Sequence, residues 1–326
     1  MKLMLDHDIV PSPLQIGYNN KILFMGSCFS QEIGYKMKEL KFNVLQNPHG
    51  ILFDPISISE ALSSYVDNKH YELNSAVYLN DLWHSWQHHS SFSGIDKEKM
   101  IKNINNTQDV AHEFINELDW VVISLGSAFH YLLASDNTPV ANCHKAPAAF
   151  FKKELLPIDQ VVAAMSGAIQ KLLDQRPELR IILTVSPVRH IRDGLTENNH
   201  SKARLIEAVH LLISKYENTF YFPAYELLID VLRDYRFYKN DMVHPDEKAT
   251  EYIFERFAGA FIEKDAIEIM KQVSEILKAL RHRPVHTETN SYTIFQKNQL
   301  HKIINLQKLL PSLDMEDEVR YFSTLK

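Results

Sequence analysis

The chain has 326 residues, 45% hydrophobic and 23% charged, which supplies a sizeable core and fits one α/β unit with insertions. Its formal net charge of −6 carries no basic block, which excludes the electrostatic footprint of a nucleic-acid binder. The start, Met1-Lys2-Leu3-Met4-Leu5-Asp6-His7-Asp8, turns acidic too early for a signal peptide, and no later run reaches the roughly 18 uncharged apolar residues of a membrane span. The expectation is a cytoplasmic protein in which Cys28 and Cys143 are free thiols.

Ile22-Leu23-Phe24-Met25 is a short apolar run that stops at Gly26, the pattern of a buried parallel strand. Phe29, Ile33, Met37 and Leu40 then recur at helical spacing. Phe42-Asn43-Val44-Leu45 predicts a second strand running into the Asn47-Pro48-His49-Gly50 turn, and a helix follows around Ile56 to Val66. Residues His70 to Gly94 break the pattern: rich in His, Ser, Tyr and Trp and alternating in places, they predict an inserted hairpin or lid, about 70–95, over one end of the sheet. A polar helix from about Lys97 to Glu117 leads to a third strand, Trp120-Val121-Val122-Ile123-Ser124-Leu125, again ended by a glycine, Gly126. A helix near Pro157 to Leu173 precedes a fourth strand, Ile181 to Val185. A helix from about Ser201 to Tyr216 precedes a fifth, Phe220-Tyr221-Phe222. The next helix opens at Pro245 and buries Tyr252, Ile253, Phe257 and Phe261. Strands alternating with helices predict a three-layer α/β/α sandwich around an about five-stranded parallel sheet. Residues 1–264 read as one domain and 265–326 as a C-terminal helical extension, with the polar stretch His282 to Tyr292 and the basic amphipathic segment Phe295 to Leu310.

In such a sheet, ligands sit outside the carboxyl ends of the strands. After the first strand comes Gly26-Ser27-Cys28-Phe29-Ser30, where the backbone N–H groups of a helix N-terminus can stabilise a thiolate or an oxyanion. Equally, Ser27 or Ser30 could cap the helix and Cys28 be a small buried residue. After the fifth strand, Asp241 and His244 stand three apart, a spacing that lets the carboxylate fix the imidazole while the ring acts as general base. The alternative makes Asp241 a turn residue and His244 an N-cap.

Taken together, Gly26-Ser27-Cys28-Phe29, Asn47-Pro48-His49-Gly50-Ile51-Leu52, Val140-Ala141-Asn142-Cys143-His144-Lys145, Thr184-Val185-Ser186-Pro187-Val188-Arg189-His190 and Asp241-Met242-Val243-His244-Pro245 resemble the motifs of the GSCFA family, grouped with the SGNH/GDSL hydrolases. The resemblance spans roughly Lys21 to Phe261. It implies a flavodoxin-like SGNH hydrolase fold and an ester hydrolase or acyl-transferring enzyme that works through an acyl-enzyme and needs no cofactor. In the Gly-Asp-Ser turn of GDSL enzymes the third residue is the nucleophile, so register points to Cys28 while residue type points to Ser27; the more easily ionised thiol favours Cys28. Ser30 stands where the family motif has alanine. Gly50 matches the oxyanion glycine after the second strand. The Gly-x-Asn expected after the third strand is absent, since Gly126-Ser127-Ala128 stands there, and Asn142 is the candidate substitute.

His84, Trp86, His88 and His89 of the insertion, with Trp83, are expected to line a polar, aromatic-walled pocket for a sugar or another hydroxyl-rich carrier, and Arg189 and His190 either to bind substrate at the sheet's edge or to hold their loop through a salt bridge. No histidine or cysteine pair has a recognised zinc spacing, so no metal is expected. The Leu232-Arg233-Asp234-Tyr235-Arg236-Phe237 run is expected to give structural support to the catalytic loop, or to orient it through arginine–carboxylate bonds. The amphipathic C-terminal segment docks on its own domain or on a second subunit of a homodimer, rather than on a membrane. The expected substrate is a small-molecule or carbohydrate ester. Two rivals have other chemistries: a non-catalytic SGNH-like binding module, and a thiol sensor or metal-binding protein built on Cys28, Cys143 and the histidines.

Overall fold

The computed structural model describes residues 5–282 and 285–323; Met1 to Met4, two residues of the polar stretch after His282, and the last three residues of the extension lie outside the described residues. The strands in chain order are β1 (Lys21–Gly26), β2 (Asn43–Gln46), β3 (Val77–Leu79), β4 (Leu82–His84), β5 (Trp120–Leu125), β6 (Phe129–Leu133), β7 (Pro139–Val140), β8 (Phe151–Leu155), β9 (Arg180–Val185) and β10 (Thr219–Tyr221). The helices are α1 (Cys28–Glu39), α2 (Pro55–Val66), α3 (Lys97–Ile115), α4 (Ile158–Gln175), α5 (Leu195–Lys215), α6 (Ala224–Glu226), α7 (Glu247–Phe261), α8 (Lys264–Arg281), α9 (Asn290–Leu309) and α10 (Glu316–Ser323).

Five strands form one sheet in the order β10-β9-β5-β1-β2, every neighbouring pair parallel. The expected three-layer sandwich is therefore present, and its order reverses beside β1, the place where open α/β sheets bind ligands. Alternation along β1 explains the layers: Ile22 and Phe24 enter one core with Phe29, Phe257 and Phe261, whereas Leu23 and Met25 enter the opposite core with Leu62, Val161 and Leu205. Val273 and Ile276 of α8, Ile303 and Leu306 of α9 and Phe322 of α10 join the first of these cores. Two ion pairs, Glu39 with Arg281 and Lys41 with the almost fully buried Glu318, tie the C-terminal helices to α1 and the turn after it.

The insertion contains the antiparallel hairpin β3–β4, Val77 opposite His84. A second antiparallel sheet, β7-β6-β8, goes beyond the sequence reading. Helix α5 also starts earlier than the expected Ser201, because after Leu195 its next five residues, Thr196 to His200, are polar and show no apolar stripe. Pro245 does not open α7: it pairs with Tyr238, and Asp246 caps the helix by accepting from Ala249 N–H at 2.8 Å. Among the described residues, no helix is long and apolar enough to cross a membrane.

Candidate active site

The turn after β1 is fixed by packing against β5. Gly26 has φ +116°, and a Cβ there would collide with the Ser124 carbonyl oxygen, so only glycine fits. Its N–H donates to Asn47 Oδ1 at 2.9 Å and its carbonyl accepts from Leu52 N–H at 3.1 Å. Ser27 follows, 2% exposed, with its N–H on the Ser124 carbonyl (3.1 Å) and its hydroxyl against Ser124 Oγ (2.9 Å). It occupies the N-cap position of α1 without a side-chain cap bond. Cys28, the first helical residue, is half-buried and lines a cleft of about 530 Å³ with Gln31, Glu32, Tyr35, Lys239, Asp241 and His244. Burial pushes its thiol pKa up, its own backbone N–H pulls it down, and Glu32 and Lys239 act in opposite senses.

Across the cleft, the loop carrying the other two groups is closed on itself. Lys239 N–H donates to the His244 carbonyl (2.8 Å), Met242 N–H to the Lys239 carbonyl (2.9 Å), and Met242 takes φ 58°. Asp241 Oδ1 accepts the N–H groups of Val243 and His244, both at 2.9 Å, while Oδ2 meets His244 Nδ1 at 2.7 Å. The two backbone donors and then the ring hold the Asp241 pKa down to about 2. A carboxylate at Nδ1 keeps the proton there and leaves Nε2 as the base. Neither Asp241 nor His244 caps a helix.

The loop after β9 buttresses this one. The Arg189 guanidinium lies over the Tyr238 ring at 5.0 Å, and Tyr238 pairs with Pro245 beside His244. His190 donates its N–H to Asn198 Oδ1 (2.9 Å) and sets its ring edge-on to Phe53. Its pKa falls to about 4, through burial first and the Lys202 charge second; Asp193 opposes and His244 adds to the fall. Lys202 is fully buried, and its ammonium donates to the carbonyls of Gly126 and Ser186, both at 2.6 Å, so it ties the exits of β5 and β9 together. Burial pushes its pKa down to about 7. No sequence signal marks Lys202, since only the fold encloses it.

Of the expected oxyanion groups, the Gly50 N–H is engaged and the Asn142 side chain is held through its oxygen. Gly50 N–H closes its own turn on the Asn47 carbonyl at 2.7 Å. Asn142 donates its N–H to the Trp86 carbonyl (3.2 Å), and its Oδ1 accepts from His144 N–H (2.9 Å). Gly126 and Ser127 both donate to the Phe53 carbonyl. By contrast Asn47 Nδ2 is buried without a partner among the described residues, on a side chain whose other atom holds Gly26. Asn47 stood inside a quoted motif, but only as the start of a turn.

The insertion corrects another expectation. His84, Trp86 and His88 are buried and bonded internally rather than lining the Cys28 cleft. His84 is held between Ser93 Oγ and the Leu79 carbonyl, His88 bonds Ser85 Oγ and stacks on His49 at 4.1 Å, and Trp86 packs edge-on to Phe151. His89 is half-exposed and packs over Gly50. Burial lowers the pKa of His49 to about 3 and that of His144 to about 4, so these two rings are neutral. Cys28 and Cys143 are both unpaired thiols, and among the described residues no three His, Cys, Asp or Glu side chains are grouped to hold a metal ion.

Fold neighbours among solved structures are distant. They include a Streptococcus pneumonia protein whose name refers to a platelet activating factor (13% identity, 73% of this chain and 83% of that one, TM-score 0.36). They also include a carbohydrate esterase family 3 protein from Talaromyces cellulolyticus (9% identity, 51% and 67%, TM-score 0.28). A third is the acetyl xylan esterase Est2A from Butyrivibrio proteoclasticus (12% identity, 80% and 65%, TM-score 0.37). No curated protein matches the chain. The sequence model of the GSCFA family matches residues 21–257, and that of the GSCFA protein C-terminal domain matches residues 273–325. The chain belongs to the GSCFA family.

Proposed function

We propose that this protein is an ester hydrolase with Cys28 as nucleophile, His244 as general acid and base, and Asp241 as the carboxylate that orients the ring. The observation that carries the reading is the single cleft lined by all three side chains, with Ser27 withdrawn from it. As Cys28 Sγ attacks the ester carbonyl, its proton passes to His244 Nε2, and Asp241 stabilises the imidazolium. The tetrahedral intermediate expels the alcohol, which takes that proton, leaving a thioester. Water attacks the thioester carbonyl with His244 again as base, releasing the acid and the thiol. The N–H of Cys28 at the start of α1 supplies one oxyanion donor. Gly50 N–H and the Asn142 amide are the expected further donors: Gly50 N–H must first leave the Asn47 carbonyl, whereas Asn142 Nδ2 and Asn47 Nδ2 each belong to a side chain held through its oxygen and can donate without giving up that bond.

The cleft's lining is polar apart from Cys28 and Tyr35, which suits a short acyl group on a hydroxyl-rich carrier better than a fatty chain. The side chains of His244 and Asp241 are 38% and 49% exposed, so water reaches the base, which favours hydrolysis over transfer to another acceptor on the same triad. Residues 265–326 act in this reading as a brace for α1.

Intact-mass spectrometry after reaction with p-nitrophenyl acetate tests the assignment. An acetyl adduct should form on wild type and Ser27→Ala and vanish in Cys28→Ala and His244→Ala. Turnover by His244→Ala should drop by about 10²–10⁴-fold. An adduct lost in Ser27→Ala but kept in Cys28→Ala would move the nucleophile back one residue. No adduct and no turnover in any form, with longer esters as well, would leave a binding module.

A further inference from the structure

A second cavity of about 390 Å³ lies apart from the Cys28 cleft and shares no lining residue with it. Its floor is α2, through Ser57, Ser63 and Ser64, with His49 and Tyr71; Gln87 of the insertion and Thr138 and Pro139, at the start of β7, wall it. The volume falls within the range of small-molecule sites, about 300–1,000 Å³.

The lining shows what it would hold. Ser57 is 5% exposed and its hydroxyl has no hydrogen-bond partner among the described residues, although buried hydroxyls are nearly always satisfied. The neighbouring serines differ: Ser59 donates to the Ala164 carbonyl (2.7 Å) and Ser64 to the Ala61 carbonyl (2.7 Å). Tyr71 OH faces His49 Nε2 at 3.0 Å while Tyr65 OH faces Nδ1 at 2.8 Å and donates toward Met25 Sδ at 3.7 Å. A phenol oxygen carries one donor and two lone pairs, so whichever His49 nitrogen holds the proton, the Tyr71 hydroxyl keeps hydrogen-bonding capacity beyond its His49 contact. At the rim stand Glu60 and Lys69, with no salt bridge between them, and Asp67, already paired with Lys171. Opposite charges at the rim give no net preference for an ion, and the apolar surface of Ala61, Pro139, Ala141 and the Tyr71 ring is interspersed with hydroxyl, amide and carboxylate groups, a mixed lining that matches the mixed faces of a sugar better than a lipid chain.

We propose that this cavity is a non-catalytic binding site for a neutral sugar of mono- or disaccharide size. Ser57 Oγ and Tyr71 OH would engage ring hydroxyls from below, the Gln87 amide would donate from the wall, and the Glu60 carboxylate would accept from hydroxyls at the mouth. Because no residue is shared with the Cys28 cleft, the site is independent of the proposed chemistry and stands even if Cys28 is no nucleophile.

Saturation-transfer NMR and calorimetric titration on the full-length Cys28→Ala protein test it, with glucose, xylose, N-acetylglucosamine and cellobiose as probes and glycine, glutamate and inorganic phosphate as charged controls. At least one neutral sugar should bind. Its affinity should fall at least about tenfold in Ser57→Ala and in Gln87→Ala, and be unchanged by His244→Ala. Gln87 is a wall residue whose loss does not touch the core, and thermal unfolding of each variant checks its fold. The proposal is overturned if no probe binds, if the charged controls bind in preference, or if sugar binding survives both Ser57→Ala and Gln87→Ala.

Discussion

Lys202 offers the sharpest physical test of the region beneath the site. It is a lysine with 1% exposure whose ammonium bonds two backbone carbonyls and forms no salt bridge. Its pKa falls from 10.5 to about 7 through burial, which at about 1.4 kcal/mol per pH unit corresponds to about 5 kcal/mol against keeping the charge inside. The unfolded chain holds the lysine proton up to pH about 10.5 and the folded chain only to about 7. Between these values the unfolded state binds more protons, so stability rises with pH. Lys202→Met removes the titration while keeping length and apolar volume. At pH 7 its offset is ambiguous: relief of the buried charge opposes about 1–3 kcal/mol for each carbonyl left without its donor. The slope is not ambiguous. From pH 7 to 9, wild type should gain about 2 kcal/mol over Lys202→Met. With a urea slope near 3 kcal/mol per M, that is a midpoint shift roughly 0.7 M larger in wild type. Urea titrations followed by tryptophan fluorescence at pH 7, 8 and 9 measure it, and groups common to both proteins, Cys28 and Cys143 included, cancel in the difference. Parallel midpoints would refute the account of Lys202 as a buried, unpaired cation.

Gly26→Ala should cost more than about 3 kcal/mol, because φ +116° and the Ser124 carbonyl both exclude a Cβ; a melting curve close to wild type would contradict the turn as described. Asp241→Asn should cut kcat by about 10³–10⁴-fold, since an amide no longer fixes the Nδ1–H tautomer. As the Asp241 pKa lies near 2, acid inactivation of wild type above pH 3 should belong to other groups, and a pH–rate profile checks both statements. Arg189→Ala should lower kcat/KM by up to roughly 30-fold, the equivalent of about 2 kcal/mol of cation–π contact with Tyr238, with partial recovery in Arg189→Lys; steady-state kinetics on p-nitrophenyl acetate decide.

What the sequence made legible was whatever is settled locally. The central strands announce themselves as apolar runs because both their faces are buried, and β1 and β5 each end at a glycine, Gly26 and Gly126. Asp241 and His244 lie in one short loop, so their spacing alone brings carboxylate and imidazole together. The sheet β7-β6-β8 was hidden for the opposite reasons: Lys152, Lys153 and Glu154 are exposed along β8, and Pro139–Val140 is two residues long, so no alternation develops. The insertion histidines misled because composition does not say which way a ring points; His84 and His88 find hydroxyls at Ser93 and Ser85 and turn inward. Lys202 lies in a run, Ser201-Lys202-Ala203-Arg204, that resembles any solvated helix face, and only the strand exits folded over it make it a core residue.

The proposed choice of Cys28 over Ser27 rests on backbone register. Gly26 pairs with Ser124 at the last rung of the β1–β5 ladder, and the next residue continues that contact: Ser27 bonds the Ser124 carbonyl through its N–H and the Ser124 hydroxyl through its own. Making Ser27 the nucleophile would break the hydroxyl pair and expose a side chain now 2% accessible, at about 1–3 kcal/mol for the buried hydroxyl left behind on Ser124. Cys28 meets no such barrier. It emerges one residue later, at the first position of α1, where the backbone N–H has no helical partner and the thiol already faces the His244 cleft. The Ser27–Ser124 pair is thus best understood as the template that presents Cys28. On the proposed assignment, Ser27 serves to place Cys28 rather than to attack the substrate itself.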